Sequence, residues 1–160
     1  MKFSEVIGQQ DVKNRLMQMV TEQRVPHALL FCGPQGCGKL AMALAFASYL
    51  LGEREEGEES GSLETKRATS MLSKWEHPDL HFTYPTIKLA SMGDRAPVSL
   101  DFVKEWREML LNEAAYPQIN TWISKMGKTS SDKDGNKQAI ITVEESEAIS
   151  HNISLMSSQG

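Results

Sequence analysis

Apolar residues recur at Val12, Leu16, Met19 and Val20, the spacing of one helical face, with Asp11 near the end where the helix dipole favours a carboxylate. The pattern predicts a helix here, and Pro26 marks the end of this unit. His27-Ala28-Leu29-Leu30-Phe31-Cys32 is a near-continuous apolar run, which predicts a short strand covered on both faces. Residues 33–38 interrupt it, and Lys39 to Leu51 is apolar nearly all round, so the helix predicted there must be covered on several sides. Leu63–Trp75 predicts a short, weakly amphipathic helix, and Leu80–Tyr84 alternates like a strand that stops at Pro85. Residues 87–97 read as irregular. Ser99 is placed to cap a helix whose apolar face is Phe102, Val103, Trp106, Met109 and Leu110. Tyr116 to Met126 continues in broken helical form. Ala139–Val143 is strand-like, and Thr142 with Glu145 makes a capping box for a last helix with Ile149, Ile153 and Met156 inward. The alternation of helices and strands predicts an α/β fold.

Composition narrows the class. The chain has 160 residues, 40% of them hydrophobic, enough for a real core, and a formal net charge of -4. That balance argues against free-standing electrostatic binding of DNA. No apolar run is long enough to span a bilayer, and the opening Met-Lys-Phe-Ser-Glu has no secretory character. The two cysteines, Cys32 and Cys37, fit a reducing, cytoplasmic setting. Residues 52–62 carry Glu53, Glu55, Glu56, Glu58 and Glu59 and read as a solvated acidic loop, with an interaction patch as the alternative. Asp132, Asp134 and Asn136 suggest calcium, but Gly135 is at the wrong offset and Val143 stands where the closing Glu is needed. His27, His77, His81 and His151 lie on separate elements, so no catalytic constellation emerges. Trp75, Trp106 and Trp122 read as core or subunit-contact residues rather than base-stacking platforms.

The informative stretch is Gly33-Pro34-Gln35-Gly36-Cys37-Gly38-Lys39-Leu40. It follows an apolar run and opens a helix, the context of a phosphate-binding P-loop. Glycines let backbone N–H groups turn inward around a phosphate, the helix N-terminus adds its positive end, and Lys39 supplies a mobile point charge. One position departs from the motif. Leu40 stands where Ser or Thr would offer Mg²⁺ an oxygen, so the metal is not expected to be held there. A phosphate cradle survives that change; metal-assisted hydrolysis does not.

Phe3-Ser4-Glu5-Val6-Ile7-Gly8-Gln9, the segment Pro26–Phe31 and the loop Gly33–Lys39 together resemble the N-terminal part of bacterial clamp-loader AAA+ subunits. His77-Pro78-Asp79-Leu80 resembles the segment those proteins carry before their second strand. Within the family the degenerate loop is most similar to the delta-prime branch of DNA polymerase III, with the gamma/tau motor branch as the near alternative. The resemblance is specific over residues 3–50 and 77–85 and organisational beyond. It implies a P-loop AAA+ fold, a parallel-sheet αβα arrangement present here only in part. It also implies a nucleotide pocket, functional or vestigial, with Val6, Ile7, Gly8 and Gln9 on the adenine side and Gly33, Gly36, Gly38 and Lys39 on the phosphate side. Val6 and Ile7 read equally well as a hydrophobic plug, and Gly8 as a turn. ATP or ADP would bind weakly or not at all.

Two departures from the family pattern follow. Members usually carry four cysteines as a zinc module, whereas residues 52–76 contain none, so no zinc is expected. His77 and His81 are then ordinary strand-edge residues. By the family pattern the Walker B strand, sensors and lid are expected to fall beyond these 160 residues. The P-loop strand is therefore expected to have open edges, and its helix an uncovered face, which favours self-association. The implied role is structural: a subunit that works with other clamp-loader subunits to place a sliding clamp on primer–template DNA, not expected to hydrolyse ATP alone. The alternative is an active P-loop ATPase, either gamma/tau-like or free-standing; a metal- or nucleic-acid-binding module is disfavoured by the missing ligands and the acidic charge.

Overall fold

The computed structural model describes residues 1–54, 63–113, 116, 119–127 and 138–154. They fall into two compact units: Met1–Leu80 with Ala114–Tyr116, and His81–Glu113 with Pro117–Gly160.

In the first unit α1 runs Gln10–Thr21, α2 Lys39–Leu50 and α3 Leu63–Leu72, after a 3-10 turn at Phe3–Glu5. Helix α1 buries Leu16 and leaves Val12 at its margin. It stops at Thr21 because Gln23 turns left-handed at φ 54°, letting the Arg24 N–H reach the Met19 carbonyl at 2.9 Å. Helix α3 ends similarly, three residues before the sequence pattern does. Trp75 takes φ 57°, and the Glu76 N–H donates to Met71 at 2.9 Å. Burial of the Trp75 ring, 4% exposed, holds a conformation that usually selects glycine.

Helix α2 is the core of this unit, with Ala41, Met42, Leu44, Ala45, Phe46, Ser48 and Tyr49 all buried. It packs on α1 and on the first turn, where the Phe3 and Tyr49 rings lie 5.7 Å apart. The expectation of an uncovered face on α2 holds in part: these seven positions are buried, while Leu40, Ala43 and Ala47 are half-buried and Leu50 is 46% exposed, a stripe at helical spacing. Glu53, the first residue of the acidic run, also departs from the solvated reading. It is buried and accepts from the Met1 ammonium at 3.0 Å. The rest of the run, Glu55 to Glu59, lies outside the described residues.

The predicted strand at 27–32 does not form among the described residues. Leu30 is 87% exposed and Leu29 38%, and none of the backbone hydrogen bonds found there involves residues 27–32. An apolar run becomes a strand only when a neighbour supplies the ladder, and no described residue does.

The second unit contains α4 (Val103–Asn112), α5 (Ile119–Gly127) and α6 (Val143–Ser154), with 3-10 turns at Ala90–Met92 and Ser99–Phe102. Its core is aromatic. Tyr84 stacks on Trp106 at 4.3 Å between centroids, and Trp122 meets both edge-on while its indole N–H donates to the Pro85 carbonyl at 2.8 Å. Such pairs add about 0.5–1.5 kcal/mol each beyond area burial. All three tryptophans are buried in their own units.

Leu80–Tyr84 and Ala139–Val143 form no strand. What exists is one antiparallel bridge, Thr86 to Ile140, with hydrogen bonds of 2.8 and 3.0 Å. Among the described residues the two units are thus helical with no sheet. Ser99 does not cap α4 by its side chain. Its hydroxyl accepts from the Tyr84 N–H at 3.1 Å, and Asp101 instead accepts the Val98 N–H at 2.9 Å. The capping box before α6 is half formed. Thr142 accepts the Glu145 N–H at 3.2 Å, but the Glu145 carboxylate accepts the Ser99 N–H at 2.6 Å. That bond turns Glu145 inward, so Ile149 is half-buried and Ile153, about 80° round the helix from Glu145, is 79% exposed. The placement of Ile153 on the inner face is corrected; Met156 lies outside the described residues, as do the acidic residues of the rejected calcium motif.

Candidate phosphate loop and its surroundings

Residues 33–38 form the loop that the glycine spacing predicts. Gly36 and Gly38 adopt φ +80° and +82°, where a side chain would be strained. A Cβ on Gly33 would stand 2.8 Å from the Cys37 sulfur, so a side chain here would make the Cys37 thiol move aside. Gly38 is the N-cap of α2, with no side-chain cap, so the first N–H groups of a twelve-residue helix face the loop.

The Lys39 ammonium turns back over the loop. It donates to the carbonyls of Gly33 at 2.9 Å and Pro34 at 2.6 Å, with the Cys37 sulfur 3.9 Å away. A cation is thus parked at the mouth of a glycine loop, able to exchange carbonyl oxygens for those of an anion. Leu40, half-buried, brings no oxygen to the position after it.

The segment 6–9 is brought to the same place. Gly8 and Gln9 are left-handed, at φ 66° and 56°, and the Gln9 side-chain amide donates to the Cys37 carbonyl at 2.8 Å. Val6 and Ile7 divide the two roles open to them. Val6 is buried, its carbonyl accepting from the buried Lys13 ammonium, while Ile7 is 81% exposed. Of the candidate residues, Gln9, Gly38 and Lys39 line a cavity of about 350 Å³ together with Cys37 and apolar residues of α1, α2 and 29–31, whereas Val6, Ile7, Gly8, Gly33 and Gly36 do not line it.

Two participants were not visible in the sequence. Lys13 ties α1 to Val6. Tyr116, 109 positions from Ile7, accepts the Ile7 N–H through its hydroxyl at 3.3 Å, and its ring lies 3.3 Å from where a Gly38 Cβ would be. No local pattern marks either residue, because both contacts are made by the fold.

His77 is buried, its Nδ1 accepting the Asp79 N–H at 3.2 Å, which gives the His-Pro-Asp segment a turn-forming role. His81 is exposed. The described residues contain no converging group of three His, Cys, Asp or Glu side chains. Among them, too, no helix is long and apolar enough to cross a membrane.

Comparison with known proteins gives the same direction. The profile of the family described as DNA polymerase III, delta subunit, matches residues 8–159. Replication factor C small subunit 2 of Pyrobaculum islandicum is 49% identical over 51 residues, 32% of this chain and 16% of that protein. The Replication factor C small subunit of Archaeoglobus fulgidus is 51% identical over 51 residues, and that of Methanocella arvoryzae 46% over 52, each again covering 16% of the relative. The chain thus aligns with well under two thirds of the length of these relatives. No solved structure matches it.

Proposed function

The chain belongs to the DNA polymerase III, delta subunit family, and on that premise we propose that it serves DNA replication as a clamp-loader subunit that positions its neighbours. The observation that carries this reading is a glycine loop opening α2 with leucine after its lysine: Lys39 bonds back to the Gly33 carbonyl, Gly36 and Gly38 are left-handed, and Leu40 has no oxygen. Such a site holds a phosphate through backbone N–H groups and an ammonium but leaves the transition state without its metal. The delta-prime branch is the finer assignment, and a parallel-sheet AAA+ domain the finer fold.

On this reading the partners are other clamp-loader subunits and, through the assembly, a sliding clamp and primer–template DNA, in the cytoplasm. ATP or ADP is a weak ligand held by Gly33, Gly36, Gly38 and Lys39 with Val6 to Gln9 alongside, and neither zinc nor Mg²⁺ is part of the site. The rival reading, an ATPase active by itself, is favoured by the intact cradle. One experiment separates them. The full chain is assayed for ATP hydrolysis alone and then with purified clamp-loader motor subunits. Co-elution with those subunits, and ATPase at background for the chain alone, are expected. Turnover by the isolated chain that disappears in Lys39→Ala overturns the positioning role.

A further inference from the structure

One side chain touches both halves of the candidate site. Tyr116 accepts the Ile7 N–H at 3.3 Å, and its ring packs beside Gly38, with Cε1 3.3 Å and the hydroxyl oxygen 3.6 Å from a Cβ built there. Ile7 belongs to the segment 6–9, and Gly38 opens α2, whose free N–H groups are the general receiver of a phosphate. Tyr116 is 39% exposed, so its ring is wedged at a surface rather than sealed in a core. A planar ring with one hydrogen-bonding edge, set between a backbone N–H and a glycine at a helix N-terminus, has the shape and polarity of a nucleoside base beside its phosphates.

We propose that Tyr116 is an internal competitor of nucleotide: it occupies the Ile7 N–H and the space beside Gly38, so a nucleotide enters only as the side chain leaves. This inference rests on the reading of residues 6–9 and 33–39 as a nucleotide site. The consequence is quantitative. If the tyrosine contact is present in most molecules, the apparent affinity falls by the fraction of molecules in which the site is open. One neutral hydrogen bond with a ring contact corresponds to about tenfold. Lys39, paired with the Gly33 and Pro34 carbonyls, is the other side chain that must change partners when an anion enters the loop.

The test uses the full chain and ADP without metal, titrated calorimetrically into wild type, Tyr116→Phe and Tyr116→Ala, with amide exchange at Ile7 followed in each. Because Tyr116 is partly exposed, both variants should fold, and thermal melts verify it. The expected result is ADP binding about tenfold tighter in Tyr116→Ala, an intermediate gain in Tyr116→Phe, and faster Ile7 exchange in both. Equal affinity across the three overturns the proposal. Weaker binding in Tyr116→Ala overturns it as well and makes the ring a contact for the base. If wild type binds and only the ordering fails, the nucleotide reading stands without the competitor. If no variant binds ADP at millimolar concentration, both the competitor and the nucleotide reading fall, while membership of the clamp-loader family is untouched.

Discussion

Gly36 and Gly38 look alike in the sequence and differ in the structure, and the difference can be measured. Both are left-handed, but Gly36 faces open space whereas a Cβ on Gly38 meets the Tyr116 ring at 3.3 Å. Gly36→Ala should cost about 1 kcal/mol through backbone strain alone. Gly38→Ala should cost more, and the excess should vanish when Tyr116 is also alanine. A thermal-melt double-mutant cycle checks this, and additive losses would show that the ring does not bear on Gly38. The loop was legible in the sequence because its demands are local: a turn that needs positive φ selects glycine wherever it occurs. Tyr116 and Lys13 were illegible because their roles come from chain segments brought together by folding.

The helices were read from their spacing with ends good to a few residues, since an apolar face declares itself within a few turns. The strands at 27–32, 80–84 and 139–143 were not found, since a strand is completed by a partner that its own pattern does not name. Capping was half legible for the same reason. Thr142 does what its position implies, but the Glu145 carboxylate goes to Ser99 across the unit. Glu145→Ala leaves the buried Ser99 N–H without an acceptor and should destabilise by about 1–3 kcal/mol, against about 1 kcal/mol for Thr142→Ala. Chemical denaturation ranks the two, and the reverse order would contradict the assigned bonds.

The turn before α4 carries a pH dependence. Burial would raise the Asp101 carboxyl, but the two Arg95 hydrogen bonds of 2.8 and 2.9 Å, the Val98 N–H and the Arg95 charge outweigh it, so its pKa lies below the ordinary value. A carboxylate depressed on folding adds stability above its unfolded pKa, and that stability is lost as pH falls through the folded one. Wild type should therefore exceed Asp101→Asn in melting temperature at neutral pH, and the two should converge as pH falls through the depressed pKa of the folded carboxyl. A difference constant across that range would mean the ion pair contributes nothing.

At the scale of the whole molecule, two compact units, each with its own core, carry the family pattern, and the first holds every candidate site residue. Among the exposed large apolar residues Leu30 at 87% and Ile7 at 81% are the most exposed, and they predict concentration-dependent association of the chain in sedimentation, reduced by Leu30→Lys. A single monomeric species at all concentrations would show that these side chains are tolerated by water. The proposed positioning role rests on Leu40, which stands where the motif asks for a hydroxyl.

The most direct measurement is therefore calorimetric titration of ADP and ATP, with and without Mg²⁺, into wild type, Leu40→Thr and Lys39→Ala. The account predicts weak binding by wild type that Mg²⁺ does not change, a gain with Mg²⁺ only in Leu40→Thr, and loss in Lys39→Ala. Tight, Mg²⁺-dependent binding by the wild-type chain would contradict it.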